Sequence, residues 1–380
     1  MGSTDFTWRA SLGPVDFDRQ MKANPANNNI ILEEPRMTIP RRRLLTATAA
    51  TALAAPWIGG TARAQTKQLK ISHQFPGGTV DSGDFRDQLC RRFAAALAKK
   101  TNGALTAEVY PGSSLVKTVA QYSAIRRGAL DMTLYPLNYA GGEVSEYNIG
   151  FMPGVISSLD QAYNWKKAEI GRRLTALMAE KGAICVTWLW QAGGTACREA
   201  KPILVPEDVK GKKVRGGSRE MDLMLKGAGA SVVSMPSNEL YAAMQTGTMD
   251  VAMTSSTSLI SFRLEEIAKS LTTGRNKGFF FIFEPLLMSK LIFDSLPKDQ
   301  QTAIMEIGLQ MEKFGMEKAK ADDEEVVKVY AKRDIKAYDI DQAQADKWKA
   351  VARETCWKDY AEKSASNAEF LKLSQEVSAA

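Results

Sequence analysis

The chain of 380 residues, 44% hydrophobic and 24% charged, has the make-up of a globular protein long enough for two domains. Eight of its 50 Lys and Arg and five of its 43 Asp and Glu fall in residues 1–64, so the remainder carries a net charge of only +4. That mild excess, without a basic stripe of interleaved aromatics, argues against nucleic-acid binding. A single histidine, His73, rules out multi-histidine metal sites and makes any Ser-His-Asp or Cys-His mechanism depend on that residue.

Residues 1–36 show no helical or strand period and precede a better start at Met37. They read as a misassigned, unstructured start. Residues 37–64 read as an export signal. Arg41-Arg42-Arg43 is followed by Leu44-Leu45, an alanine-rich apolar run to about Ile58, and Ala62-Arg63-Ala64 before Gln65. The last three have the small-x-small pattern of signal-peptidase cleavage. Arginines ahead of two leucines fit a twin-arginine signal, although the same positive start serves the general secretory route. The apolar run is too short to span a membrane. The expectation is a periplasmic protein cleaved near Ala64-Gln65.

The body opens with a strand at Gln68–His73, a polar loop at Phe75–Gly83, and an amphipathic helix at about Ser82–Thr101 with Leu89, Phe93, Ala96 and Leu97 on one face. A strand at Leu105–Tyr110, a helix at roughly Val116–Arg127 and a strand at Leu130–Tyr135 follow. This β-α-β-α-β rhythm predicts an open α/β sheet. Ligands of such sheets bind beyond the carboxyl ends of strands. Tyr135 and Asn138, in Tyr135-Pro136-Leu137-Asn138-Tyr139, are therefore candidate contacts, with ordinary loop packing as the alternative. His73 is either a further contact or a loop histidine without a chemical role.

A long helix is expected at about Leu159–Lys181, then a strand at Ala183–Leu189. Gly193-Gly194, with a change in composition around it, suggests a hinge or crossing point. The α/β rhythm restarts over Val205–Asp250 and runs through Val251–Ser255; Phe279–Leu287 reads as a return crossing. From Lys298 onward the pattern is helical. The lobes are expected to comprise 66–192 with about 283–320, and 193–282 with about 321–380. A cleft lies between them, where hinge closure buries a ligand.

Cys90, Cys185, Cys197 and Cys356 make no Cys-x-x-Cys pair, so zinc and redox motifs are not supported. An oxidising compartment permits disulfides. Cys185 and Cys197, which flank a strand and a turn, are the first pair to consider, against buried free thiols.

The most informative stretch is Lys210-Gly211-Lys212-Lys213-Val214-Arg215. It reads as a basic strand ending in arginine, before a Gly216-Gly217-Ser218 turn that opens a helix. An arginine at a strand's carboxyl end, beside a helix N-terminus, suits an anion.

The order Pro206-Glu207-Asp208-Val209-Lys210-Gly211-Lys212-Lys213-Val214-Arg215, Gly227-Ala228-Gly229-Ala230, Met235-Pro236, Glu239-Leu240-Tyr241 and Gln245-Thr246-Gly247, then Asp250, resembles the solute-binding subunits of tripartite ATP-independent periplasmic (TRAP) transporters, the DctP family. Gly128-Ala129-Leu130-Asp131 and Phe293-Asp294-Ser295-Leu296-Pro297 resemble further family motifs, and the likeness covers residues 66–380.

The resemblance implies an α/β, two-lobed periplasmic-binding-protein fold with an interlobe cleft and a long helix crossing both lobes. It implies a receptor, not an enzyme, that needs no cofactor and hands an organic acid to membrane permease subunits driven by an ion gradient. The family's carboxylate-pairing arginine falls on Arg215. Where many members read a longer polar motif, this chain has Asp250 followed by Val251-Ala252-Met253-Thr254-Ser255, so Thr254 and Ser255 are candidate hydroxyl contacts or plain turn residues. Sialic-acid-binding members carry a second arginine near Gly194–Thr195; here Arg198 is the nearest. Gln191 is only loosely comparable with the glutamine of metal-holding members, so no metal is expected. Trp190 and Phe75 are candidates for an apolar pocket wall, or for the core. Glu284, in an apolar strand before Pro285, needs a partner if buried and serves either the lobe contact or a ligand amino or hydroxyl group. The competing reading is an exported α/β enzyme acting on a small acidic substrate. The single histidine and the absence of a dinucleotide fingerprint or Gly-x-Ser-x-Gly elbow count against it. Oligomeric state is left open.

Overall fold

The computed structural model describes residues 66–378 except 276; the leader and misassigned start read at 1–64 lie outside them. The expected rhythm is present at the start of the body. β1 (Lys67–His73), α1 (Phe85–Lys100), β2 (Leu105–Tyr110), α2 (Gln121–Arg126) and β3 (Met132–Leu134) follow in order. Asp84 caps α1 by accepting the Arg86 N–H.

The single helix expected over 159–181 is two. α3 (Leu159–Asn164) and α4 (Glu169–Glu180) are separated by a 3-10 turn and an extended Ala168. A Cβ at position 171 would lie 2.2 Å from the Trp165 carbonyl, so the chain turns sharply there and Gly171 permits it.

β4 (Ala183–Thr187) leads into β5 (Trp190–Cys197), and β6 (Lys213–Arg215), α5 (Arg219–Gly227), β7 (Ser231–Val232), α6 (Leu240–Gln245), β8 (Val251–Ser255), α7 (Ser256–Ser261) and β9 (Ser270–Thr273) complete the restarted rhythm. β10 (Phe281–Phe283) and β11 (Leu286–Ser289) precede α8 (Lys290–Asp294) and the 34-residue α9 (Lys298–Ala331). β12 (Ala337–Asp339), α10 (Gln342–Ala352), α11 (Lys358–Glu362) and α12 (Ala365–Gln375) close the chain.

Two sheets result. One has five strands in the order β2-β1-β3-β11-β4. The other has seven, with β12-β9-β5-β8-β6-β7 in a row and β10 pairing with β5. The chain crosses between them at Trp188–Leu189 and returns at Glu284–Pro285, between β10 and β11. The hinge or crossing point expected at Gly193-Gly194 thus lies a few residues earlier, at Trp188–Leu189. Those glycines lie inside β5, and a Cβ on Gly193 would overlap the Phe280 ring at 1.8 Å. They serve close packing.

The third crossing is α9, roughly 50 Å long at the usual rise per residue. It packs on α1 and β4 of the first sheet and on α7, β5 and β9 of the second. Its buried positions Ile304, Ile307, Gly308, Gly315, Ala319 and Val326 recur at helical spacing. Gly308 is required, because a Cβ there would sit 2.1 Å from the Val186 carbonyl. Leu69, Ile71, Leu89, Phe93 and Leu97 fill the layer between α1 and the first sheet, each worth about 1.5–3 kcal/mol when fully buried.

All four cysteines are free and buried. This corrects the Cys185–Cys197 pairing: Cys185 lies in β4 of the first sheet and Cys197 at the end of β5 in the second. Among the described residues no helix is long and apolar enough to cross a membrane.

Candidate ligand-binding site

β6 pairs in parallel with β8, Arg215 opposite Ala252, and ends at Arg215. This side chain is only 2% exposed. Its Nε donates to the Met235 carbonyl at 3.0 Å, Nη1 to the Met253 carbonyl at 2.9 Å, and Nη2 to the Tyr139 hydroxyl at 2.9 Å. All three acceptors are neutral. A guanidinium has five N–H groups, so one remains on each terminal nitrogen. Gly217, at φ +90°, makes room for the group: a Cβ there would lie 2.5 Å from Nη1. Ser218 then caps α5 by accepting the Met221 N–H at 3.0 Å.

The opposite wall comes from the segment after β3. Tyr139 accepts not only from Arg215 but also from the Ser237 N–H at 3.0 Å. Asn138 donates through Nδ2 to the Gly217 carbonyl at 2.7 Å. Strand ends of both sheets therefore meet across a cavity of about 660 Å³, lined by Asn138, Tyr139, Gly217, Ser218, Met235 and Pro236 among others.

Behind Tyr139, the Tyr135 ring packs edge-on at 5.9 Å. Its buried hydroxyl has no partner, and burial pushes its pKa far up, so it remains a protonated phenol. Gln74 stands one position beyond the paired His73 and Leu134, as Tyr135 does. Its amide is buried with neither oxygen nor nitrogen hydrogen-bonded, and Asn138 Oδ1 is also unpartnered.

A second buried cation lies at the start of α1. Arg86 donates to Asp84 through Nε at 2.9 Å and Nη2 at 2.7 Å, to Glu284 at 3.2 Å, and to Ser258 at 3.1 Å. Phe75 lies under the guanidinium, 3.5 Å from its carbon to the ring centroid. Burial opposes the charge, but Asp84 and Glu284 outweigh it and raise the Arg86 pKa. Burial raises the Glu284 carboxyl, with Arg86 pulling it back.

The candidates thus divide. Arg215, Tyr135 and Asn138 come together at the strand ends. Phe75 and Glu284 are engaged by Arg86, and Gln191 also bonds Glu284. Ser255 is the N-cap of α7, accepting from Ser258 N–H at 3.2 Å, and Thr254 is buried opposite Gly194. Trp190 is packed between Trp165 and Phe283 at the crossing. Arg198 follows the far end of β5, half-exposed beside Asp250 at 3.8 Å. That placement takes it out of the site. His73 is no loop residue: it ends β1, fully buried, with Nε2 3.1 Å from Asp87. Burial opposes the Asp87 charge, but bonds from His73, Arg91 and the Gly78 N–H hold its carboxyl below the usual range. Sequence reasoning missed Gln74, Tyr139 and Arg86. Gln74 had a signal, since it directly follows a strand's carboxyl end. Among the described residues no cluster of three or more His, Cys, Asp or Glu could hold a metal ion.

A family model described as bacterial extracellular solute-binding protein, family 7 (DctP), matches residues 77–363. The chain belongs to this family. A curated solute-binding protein of Albidiferax ferrireducens is 59% identical over 314 residues, covering 83% of this chain and 93% of the relative. A solved TRAP periplasmic solute-binding protein of Rhodoferax ferrireducens, with bound malonate, shares 59% identity and a TM-score of 0.80 over 81% of this chain and 98% of that one. A Bordetella pertussis extracytoplasmic solute receptor binding pyroglutamic acid, 20% identical, has the same fold at a TM-score of 0.73, covering 82% of this chain and all of that one.

Proposed function

We propose that the protein is a TRAP-type receptor that binds an organic acid in the cleft between its lobes, with Arg215 gripping the carboxylate. One observation carries this reading. Arg215 is buried and charged, yet its own partners are two main-chain carbonyls and a phenol. A buried cation with no carboxylate hydrogen-bonded to it, and only the nearby charge of Asp222 acting on it, is costly unless something supplies the rest of the charge. The N–H groups left over suit a carboxylate, which a guanidinium can hold bidentately. The malonate bound to the 59% identical relative supports an acid as ligand.

On this reading Arg215, Asn138 and Tyr135 surround the ligand, and the lobes are 66–192 with about 283–320 and 193–282 with about 321–380. The protein is exported by the leader at 37–64, cleaved near Ala64-Gln65, works in the periplasm, hands its ligand to membrane permease subunits, and performs no chemistry on it. Thermal unfolding against a panel of organic acids tests the reading. A ligand at 100 times its Kd stabilises by about 2.7 kcal/mol. If no acid raises the melting temperature, or if Arg215→Ala binds an acid as well as the parent, the site is misassigned.

A further inference from the structure

Arg86 stands where helices of the two sheets meet. α1 packs on the first sheet at β2, α7 packs on the second at β5, and both lie on α9. From α1 the Arg86 guanidinium reaches the start of α7. Ser258 Oγ lies 3.1 Å from both Nη1 and Nη2, Ser255 Oγ 3.3 Å from Nη1, and Ser261 Oγ 3.5 Å from Nη2.

The two sides of this group are built differently. On its own side it is held by charge. Nε and Nη2 donate to Asp84, two residues earlier, and Nη1 donates to Glu284 at the return crossing, while Phe75 lies beneath. On the α7 side its bonded partners are hydroxyls. An ion pair across the two helices would weld them, because parting it strands a buried charge. A hydroxyl exchanges its bond for one to water at small net cost. An arginine fixed to one body by carboxylates and to the next by hydroxyls suits a contact that forms and breaks. Its five N–H groups are all engaged by Asp84, Glu284 and the serines, so none is left for a ligand.

The α7 side is also tied to the candidate site. Ser255 ends β8 and caps α7, accepting the Ser258 N–H at 3.2 Å. Two positions earlier, the Met253 carbonyl holds Arg215 Nη1 at 2.9 Å. One strand end thus carries a contact to each buried arginine.

We infer that Arg86 and Ser258 form a closure latch: Arg86, anchored in the first lobe, engages the Ser258 hydroxyl when the second lobe closes, and so slows release of the ligand without touching it. The inference rests on the receptor reading, in which lobe closure buries the ligand. Stopped-flow fluorescence with malonate, succinate and pyroglutamate tests it on the purified protein. Ser258→Ala is expected to raise the dissociation rate about 10-fold, the loss of a bond to a charged group, and to leave the association rate within about twofold. The factor should be the same for each acid that binds. Ser258→Thr, which keeps the hydroxyl, should restore the parent rate. Should Ser258→Ala not fold, Ser258→Cys, with its weak acceptor, reads the same rates. An unchanged dissociation rate overturns the latch, as does a factor that varies from acid to acid, which would make Ser258 a ligand contact. A rise in dissociation rate together with normal binding by Arg215→Ala would keep the latch and refute the assignment of the carboxylate to Arg215. If no organic acid binds the parent, the receptor reading fails and the latch with it.

Discussion

Two buried arginines serve opposite ends in this molecule. Arg86 is answered within the fold by Asp84 and Glu284 and by the hydroxyl of Ser258. Arg215 is hydrogen-bonded only to neutral oxygens, with Asp222 acting on it through charge alone. Equal burial therefore does not mean equal role. A cation matched by carboxylates is part of the structure, while one held in place by carbonyls keeps its charge for something else. Their positions reinforce the point. Arg86 ties the start of α1 to the start of α7 and to the crossing at Glu284, whereas Arg215 sits at the strand end beside the cavity.

Removing each guanidinium should separate the roles by the largest margin. Arg86→Ala leaves Asp84 and Glu284 buried without their partner. It should cost about 3–5 kcal/mol of stability, as breaking buried ion pairs does, measured by chemical denaturation. Arg215→Ala breaks no hydrogen bond to a carboxylate, although it removes a charge that favours ionised Asp222; it should cost less stability, while weakening acid binding by about 100-fold or more, given the roughly 3 kcal/mol typical of a buried charge-assisted pair. Equal losses of stability in the two variants would erase the distinction.

Much of this contrast was legible in the residues, but not all. The strand-turn-helix around Arg215 has local punctuation, with Gly216-Gly217-Ser218 marking the turn and the cap. Two of its three hydrogen-bond partners, the carbonyls of Met235 and Met253, lie in the same short region, whereas the third, Tyr139, comes from the segment after β3. Arg86 had no such signal. It stands in the first turn of an amphipathic helix, where an arginine reads as solvated, and its partner Glu284 is 198 residues away. The break in the expected helix at 159–181 was hidden likewise, because the cause is the approach of Gly171 to the Trp165 carbonyl. Sequence position left Trp190 between pocket wall and core and drew Arg198 toward the ligand. The register of β5 instead puts one in the core at the crossing and the other at the far end of the sheet.

The acid surplus near Arg86 offers a smaller test. Burial raises the Asp322 carboxyl on α9 to about 6, with Asp84 adding to the rise and Arg86 opposing it. Burial raises neighbouring Asp323 to about 7, with Asp322 and Glu324 adding to the rise. A carboxyl with a raised folded-state pKa binds its proton more tightly in the native state, so stability falls as pH rises between the ordinary value near 4 and the folded value. Asp323→Asn should remove that part of the slope. The variant should gain about 4 kcal/mol relative to the parent between pH 4 and pH 7.5, at about 1.4 kcal/mol per pH unit, read from paired denaturation curves. A parallel pair of pH profiles would show that Asp323 ionises normally.

Gly217→Ala probes the other arginine. The new methyl lies within 2.5 Å of Arg215 Nη1, at a φ of +90° that L side chains rarely adopt. Strain of about 1 kcal/mol or more is expected in the fold. Displacement of the guanidinium should weaken acid binding by about 10-fold, since charge-assisted pairs depend on geometry. Unaltered affinity would mean that the orientation of Arg215 is not what Gly217 protects.

Tyr139→Phe makes the finest cut. Its hydroxyl accepts from both Arg215 and the Ser237 N–H, one oxygen joining a segment that follows the first sheet to the arginine of the second. Deleting it removes two modest bonds, one of them charge-assisted, and should lower stability by about 1–2 kcal/mol without ligand. The two N–H groups that Arg215 has to spare mean that a carboxylate need not displace this hydroxyl, so the phenol and the ligand act together on the same cation. Affinity for the acid should therefore fall by about 3- to 10-fold as Arg215 loses a fixed partner. A rise in affinity would reverse the assignment, because it would show that the hydroxyl occupies the place of the ligand and that Arg215 is answered, in the empty protein, as fully as Arg86.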